Sequence, residues 1–350
     1  MRVAMYYNNR DVRIEEMQTP HIGPGELLVK VIASGICGSD VMEWYRIKKA
    51  PLVLGHEIAG EVVSVGEGVK HYKVGDRVTV AHHVPCNTCH YCLNGHYSVC
   101  DTLRTTNFYP GGFSEYIRIP HINVDRGTFV LPDEVSFEEG TFVEPLACTL
   151  LGQRKAKLRA GQSVLVIGSG ISGLLHIQLA RALGAGQIFA VDITEYRLRM
   201  AQQSGADHVI HAKEDVPAYL RKTNNGRLAD LVVVCTGATA AIGQALNSVE
   251  RGGTILFFAP TEPNVSTPVN LWDLWRNCNS LVMSYAGPPD DMATAIELIR
   301  AGRVAVRDLI THRLGLSETA TGFKLVAEAK DSIKVIIEPH DQRKGGFAIA

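Results

Sequence analysis

The chain has 350 residues, more than one hydrophobic core usually holds, so two domains are expected. Its 46% hydrophobic and 20% charged residues are those of an ordinary globular protein, and a net charge of −1 leaves no electrostatic footprint for nucleic acid or an anionic membrane surface. No apolar run is long enough to span a bilayer, and the start, Met1-Arg2-Val3-Ala4-Met5-Tyr6-Tyr7, lacks the sustained apolar core of a signal peptide, so a cytoplasmic location is expected. There, eight cysteines read as metal ligands or buried thiols rather than as a disulfide framework.

The first part of the chain is strand-rich and punctuated by glycine. Val12-Arg13-Ile14-Glu15 alternates apolar with charged, and Pro20, Gly23, Pro24 and Gly25 mark turns. The run Leu27-Leu28-Val29-Lys30-Val31-Ile32 leads to Cys37-Gly38-Ser39-Asp40. Gly55-His56-Glu57 opens a second run, Ile58-Ala59-Gly60-Glu61-Val62-Val63. A thiolate and an imidazole at strand ends are zinc ligands by type, and a carboxylate is a common third. Ser39 is placed to pass on a proton, and Asp40 to hydrogen-bond the outer nitrogen of His56. Taken alone, Cys37 and His56 read more readily as a buried thiol and a satisfied core histidine. Val62 to Gly66 and Arg77-Val78-Thr79-Val80 are further strands, with Gly75-Asp76 as a hairpin-type turn between them, and the pattern suggests a partly closed β domain.

Next come Cys86, Cys89 and Cys92, with Cys100 after a seven-residue gap. Four thiols so close together are hard to explain as packing, and a closed tetrahedral zinc site is the natural reading. The bacterial iron–sulfur pattern has a shorter final gap followed by proline, and here Asp101 follows, which favours zinc. The patch from Gly112 to Ile119 returns to the β domain. After Leu131-Pro132-Asp133-Glu134 a helix carries Phe142-Val143-Glu144-Pro145-Leu146-Ala147-Cys148, where Glu144 is a carboxylate among apolar neighbours.

From Gly161 strands and helices alternate. The apolar strand Ser163-Val164-Leu165-Val166-Ile167 runs into Gly168-Ser169-Gly170-Ile171-Ser172-Gly173 and an apolar-faced helix through Leu183. The next strand, Ile188 to Val191, ends in Asp192. Glycines at this spacing permit the tight turn, the approach of a pyrophosphate and the helix–strand contact, while the acid bonds a ribose hydroxyl. Asp192 would repel a 2′-phosphate, which favours NAD over NADP. Strands at Val209-Ile210, Leu231 to Val234, Thr254 to Phe258 and Leu281 to Met283 complete a six-stranded doubly wound sheet. A helix from Asp291 to Arg300, a strand Leu309-Ile310-Thr311, a helix from Ser317 to Ala329 and a last strand, Lys334 to Ile337, are expected to rejoin the first domain. The tail from Arg343 is expected to be loosely ordered.

Together these motifs resemble the zinc-dependent medium-chain dehydrogenases, in particular the sorbitol and polyol dehydrogenase branch, from about Met1 to Pro339. The resemblance rests on Gly35-Ile36-Cys37-Gly38-Ser39-Asp40, Gly55-His56-Glu57, the four spaced cysteines, Val143-Glu144-Pro145-Leu146 and the dinucleotide turn, all in the family's order. It implies an α/β protein: a Rossmann-type doubly wound parallel sheet, plus a partly closed, GroES-like β-barrel catalytic domain with a structural zinc lobe. The catalytic domain would span residues 1–146 with its lobe at 86–100, the NAD-binding domain 147–284, and residues 285–350 would return to the catalytic domain. Cys37 and His56 match the catalytic zinc ligands. Glu57 and Glu144 match the two acids near that zinc, the third ligand being one of them or water. Ser39 matches the proton-relay hydroxyl, and Cys86, Cys89, Cys92 and Cys100 the structural zinc lobe. Gly168, Gly170, Ile171, Ser172 and Gly173 match the nucleotide turn, Asp192 the ribose-binding acid and Arg197 the basic residue near the adenosine.

The implied activity is hydride transfer between a secondary alcohol and NAD, with two zinc ions per chain, a small-molecule substrate, and a homodimer or homotetramer as the assembly. A threonine-type amino-alcohol dehydrogenase shares the same motifs. A non-catalytic nucleotide-binding protein keeping only the structural zinc is the rival of another class, and the presence of Cys37, His56 and Glu144 speaks against it. Two positions depart from the pattern. Met42 stands where many relatives carry the histidine that ends the proton relay, and Ser284 to Pro289 holds no clear counterpart of the branch's polyol-binding arginine.

Overall fold

The strand Leu27–Gly35 organises the first part of the molecule, with Leu27, Val29, Val31 and Ala33 turned into the core in period-two alternation. Along its full length it pairs antiparallel with Glu57–Val65. Its other edge is shared, Leu27 to Lys30 pairing with Tyr116–Ile119, and Ser34 and Gly35 with Lys334–Glu338. The computed structural model describes residues 1–340, and the expected loose tail from Arg343 lies outside the described residues. The chain divides into two units, Met1–Ala147 with the chain from Ala286 onward, and Cys148–Tyr285.

In the first unit a seven-stranded sheet runs in the order Ile310–Gly315, Lys334–Glu338, Leu27–Gly35, Glu57–Val65, Arg77–Val80, Thr128–Val130, with Tyr116–Ile119 paired off this path. Among the described residues no pairing joins its two ends, so the sheet is not a closed barrel, in keeping with the expected partly closed β domain. A small sheet of Asp11–Glu16, Arg2–Asn8 and Leu52–Val53 packs an apolar cluster built on Tyr6, Phe113 and Phe323. The strand Arg2–Asn8 escapes a period-two reading because the consecutive residues Val3 and Ala4 are both buried. Gly75 and Asp76 end a longer loop, residues 66–76, rather than forming a two-residue turn, and the patch after Gly112 becomes strand only at Tyr116–Ile119.

The second unit is a six-stranded, wholly parallel sheet. Its order is His208–His211, Ile188–Asp192, Val164–Ile167, Ala229–Val234, Val249–Phe257, Ser280–Met283. Counted along the chain this is the 3-2-1-4-5-6 order of a doubly wound dinucleotide-binding sheet. Its inner strands are buried on both faces, which is why they read as continuous apolar runs in the sequence. The strand order reverses beside Val164–Ile167. There the chain turns at Gly168, whose φ of +94° is a glycine conformation, and enters the helix Ile171–Ala182. A Cβ at Gly173 would run into the Gly168 carbonyl, so helix and turn approach closely only because Gly173 has no side chain.

Candidate metal centres and nucleotide turn

Cys37 follows the end of Leu27–Gly35, and His56 immediately precedes Glu57–Val65. Gly35 lies directly opposite Glu57 in the register, and this pairing brings the three side chains together. One ligand atom each of Cys37, His56 and Glu57 lies within 4.8 Å of the others. Asp40 closes the next layer. It is fully buried, its Oδ1 lies 3.3 Å from His56 Nδ1, and its Oδ2 accepts the Cys37 N–H at 3.0 Å. Burial alone would raise the Asp40 carboxyl, but the His56 charge and hydrogen bond, Arg46 and the Cys37 amide hold it below its usual range. Burial works against a proton on His56, yet Asp40 and the Cys37 sulfur raise it well above the ordinary histidine value. The field at this point favours positive charge, and a sulfur, an imidazole and a carboxylate are the donor types zinc prefers. Asp40 engages Nδ1, which leaves Nε2 for a metal, as expected of a ligating histidine.

The third donor is not free. Glu57 is buried and its Oε2 is bound to the ammonium of Lys334, which is 0% exposed and lies 5.4 Å from the centre of the Phe142 ring. A Cβ on Gly35 would lie 2.5 Å from the Glu57 carboxylate and 2.6 Å from Lys334 Cε, so this glycine makes the room for the pair. Glu144 sits in the first turn of the helix Val143–Lys155, where the helix dipole favours an acid, and it is half-buried. It is not part of the three-residue cluster.

Ser39 lies in the turn Gly38–Val41, its N–H donating to Cys37 Sγ at 3.4 Å. Its Oγ accepts from Arg46 Nη2 at 3.0 Å, and its carbonyl accepts from Arg46 Nε at 3.0 Å. Glu43, beside Met42, turns away from the centre, and its Oε2 accepts the Asn9 N–H at 3.1 Å.

The four cysteines of the lobe come together as their spacing predicts. Sulfur–sulfur separations of 3.5, 3.6 and 3.9 Å link Cys89 to Cys92, Cys100 to Cys86 and Cys86 to Cys92. A tetrahedral zinc with Zn–S near 2.3 Å asks for about 3.8 Å between sulfurs, so the group fits. Backbone amides already point at the sulfurs, Cys89 N–H to Cys86 Sγ at 3.3 Å and Cys86 N–H to Cys100 Sγ at 3.4 Å. Donation from Thr88 and Cys89 pulls the Cys86 thiol down to about 5, while burial and the neighbouring sulfurs push Cys92 up to about 12. Four thiols gathered this closely are a donor set suited to a cation. No position is left open once four sulfurs are engaged, which makes this a structural site.

In the second unit, Asp192 Oδ2 accepts the Ser169 N–H at 2.8 Å, tying the end of its strand to the glycine turn, and Oδ1 accepts from Ile193 and Thr194. Arg197, on the helix Glu195–Gln203, brings its guanidinium 3.9 Å from the position of a Cβ on Gly170, and its buried Nε has no partner. Ile171 and Ser172 open the helix whose N-terminal amides face the turn. A cation with an unused donor beside a glycine turn at a helix N-terminus suits a dinucleotide pyrophosphate, so the residues fit the cofactor.

Known proteins show the same assembly. Residues 23–126 match the alcohol dehydrogenase GroES-like domain and residues 172–301 the zinc-binding dehydrogenase domain. Sorbitol dehydrogenase of Bacillus subtilis is 32% identical over 97% of this chain and 98% of its own. The (R,R)-butanediol dehydrogenase of the same organism is 32% identical over 97% of this chain and 100% of its own. A solved alcohol dehydrogenase from Escherichia coli CFT073 in complex with NADH superposes with a TM-score of 0.86 at 26% identity, covering 97% of this chain and 99% of that one. The chain belongs to the zinc-dependent medium-chain alcohol dehydrogenases, and its class is that of a zinc- and nicotinamide-dependent oxidoreductase.

Sequence reasoning did not find Lys334, Arg46 or the histidines at 82 and 83. Lys334 opens the apolar strand Lys334–Glu338 and reads there as a solvated strand end. The pair His82-His83 just after Arg77–Val80 did carry a signal, two imidazoles next to a metal lobe, that could have been weighed.

The two centres separate by metal analysis. Wild-type chain is expected to hold two zinc ions. Cys37→Ala should retain one, stay folded and lose turnover. Cys89→Ser should lose the lobe's ion and lower the melting temperature. Equal zinc content and stability in both variants would contradict the assignment.

Proposed function

We propose that the chain oxidises a secondary hydroxyl of a polyol or sugar derivative, with NAD as the hydride acceptor. The observation that carries this reading is the Cys37–His56–Glu57 cluster backed by Asp40, a donor set of only three, in a chain whose second unit carries the Gly168–Gly173 turn and Asp192. When bound, zinc supplies the Lewis acidity that makes a substrate hydroxyl acidic, and NAD takes the hydride.

The chain's own residues do the rest. Cys37 and His56 hold the metal, and Asp40 fixes the ring of His56. Ser39 Oγ receives the hydroxyl proton on one lone pair while the other is occupied by Arg46, and it passes its own hydrogen outward. Arg46 keeps its protons at any working pH, Met42 has no basic group and Glu43 is engaged at Asn9, so the proton leaves to water. Glu144 is the third ligand or the base, a role supported by the commitment of Glu57 to Lys334. At the nucleotide turn, Gly168, Gly170, Ile171, Ser172 and Gly173 take the pyrophosphate, Arg197 adds its charge and Asp192 takes the ribose.

We further infer a homodimer or homotetramer. Trp272 and Trp275 are 65% and 70% exposed with rings 5.3 Å apart, close in sequence to the edge strand Ser280–Met283. An apolar surface beside an open strand edge is the usual ground for self-association. A cytoplasmic home is supported by eight cysteines that form no disulfide among the described residues, four of them in a cluster that needs reduced thiols.

Three measurements test these readings. A panel of polyols, sugar acids, amino alcohols and simple alcohols should give NADH with polyols best and with NAD preferred over NADP, and Asp192→Ala should narrow that preference. Wild-type preference for NADP, or for amino alcohols, would overturn it. Glu144→Gln should lower kcat by about 100-fold or more and alter the pH–rate profile with NAD affinity retained. A near-normal rate would move the role to Glu57. Sedimentation should give a dimer or tetramer, and Trp272→Glu with Trp275→Glu should reduce its mass, whereas a wild-type monomer at micromolar concentration refutes the assembly.

A further inference from the structure

His82 lies against the metal centre without belonging to it. Its ring centre is 4.7 Å from that of His56, yet its nitrogens are not in the cluster formed by Cys37, His56 and Glu57. The backbone around it is clamped. Fully buried Asn123 donates to the Ala81 carbonyl at 2.8 Å and to the His82 carbonyl at 3.1 Å. His83, packed 3.9 Å away ring to ring, has its Nδ1 3.0 Å from the Thr106 carbonyl. Of the His82 ring atoms, Nδ1 is buried without a hydrogen-bond partner. Burial first, then the neighbouring His83, His56 and Arg46, depress its proton affinity well below the ordinary histidine value. A native fold seldom leaves a buried polar atom unsatisfied, and one beside a reaction centre is a place for a ligand to bind.

We propose that His82 is a specificity-determining residue that hydrogen-bonds the hydroxyl on the carbon next to the one oxidised, so that the enzyme selects vicinal diols and polyols over mono-alcohols. The proposal rests on the reading of the Cys37–His56 centre as the place of alcohol oxidation. The reacting oxygen has to sit beside His56. The adjacent hydroxyl of a vicinal diol is one carbon further on, within a hydrogen bond's reach of a ring packed on His56. A hydroxyl both donates and accepts, so it can satisfy the buried Nδ1 of His82. A mono-alcohol offers nothing to the ring and leaves it as unpartnered as it is now. A site built to bond a substrate hydroxyl rejects the analogue that lacks it.

The test uses the zinc-loaded full chain with two substrates on one carbon skeleton, butane-2,3-diol and butan-2-ol. It reads kcat/KM with NAD, the calorimetric Kd of each alcohol for cofactor-free protein, and zinc content. His82→Phe keeps the ring and removes both nitrogens. It should lower the diol-to-mono-alcohol ratio of kcat/KM by about 10- to 100-fold and weaken diol binding in step, with two zinc ions retained. His82→Asn restores a donor and an acceptor near the Nδ1 position and should recover part of the ratio. An unchanged ratio in His82→Phe overturns the proposal. So does zinc loss in both variants, which would make His82 a residue that holds the metal. If wild-type enzyme oxidises neither alcohol and no polyol, the dehydrogenase reading of the centre fails instead, and the two failures are distinct.

Discussion

Three strands meet at Gly35, and what that glycine leaves room for shapes the first unit. Glu57 stands opposite it on one side and Ile336 on the other, and the Ile36 amide donates to the Val335 carbonyl at 2.9 Å. The space a side chain would have taken holds a carboxylate and an ammonium, both out of water. Neither ion would survive burial alone, and removing one partner of such a pair costs about 3–5 kcal/mol. Cys37 is two residues past Gly35 and His56 one residue before Glu57. The strand Lys334–Glu338, from the far end of the described chain, is thus a condition for the metal centre near its beginning.

This explains what was legible in the sequence and what was not. The parallel sheet could be read strand by strand, because strands buried on both faces are unbroken apolar runs and the turn between the first strand and its helix has a glycine spacing imposed by sterics. The four-cysteine lobe was legible because all its ligands lie between Cys86 and Cys100. Cys37 and His56 came with family motifs, and Asp40 was found because an outer-nitrogen partner for His56 was looked for nearby. Lys334 is separated from Glu57 by most of the chain, and only the register of Gly35 against Glu57 and Ile336 brings them together. Arg46 sits in a four-residue helix whose bases have no periodic signal.

Charge is arranged in pairs around the centre. Asp40 faces His56 and Arg46, and Glu57 faces Lys334. Two carboxylates beside the site, Asp40 and Glu57, are thus each matched by a cation fixed in the fold. A dication held by few anionic donors keeps more of its polarising power than one ringed by carboxylates, and this is the property an open catalytic centre needs and the lobe does not. The lobe shows the opposite logic, four sulfurs gathered together with backbone N–H groups donating to Cys86 and Cys100.

The same pairing accounts for the departure at Met42. A relay ending in histidine needs a base that can take and release a proton near neutrality. In this chain the residue bonded to Ser39, the proposed relay hydroxyl, is Arg46, whose guanidinium is a donor without an acceptor site. Arg46 therefore acts on Ser39 as an anchor. It fixes Oγ through one bond and the Ser39 carbonyl through another, and it also reaches toward Asp40 at 3.5 Å. One guanidinium thus holds the relay hydroxyl and the carboxylate behind His56 in register with each other. Losing a terminal histidine is tolerable when the serine is already oriented and water can take the proton. Losing the anchor would disturb the metal ligand and the relay together, because both hang from the same planar fork.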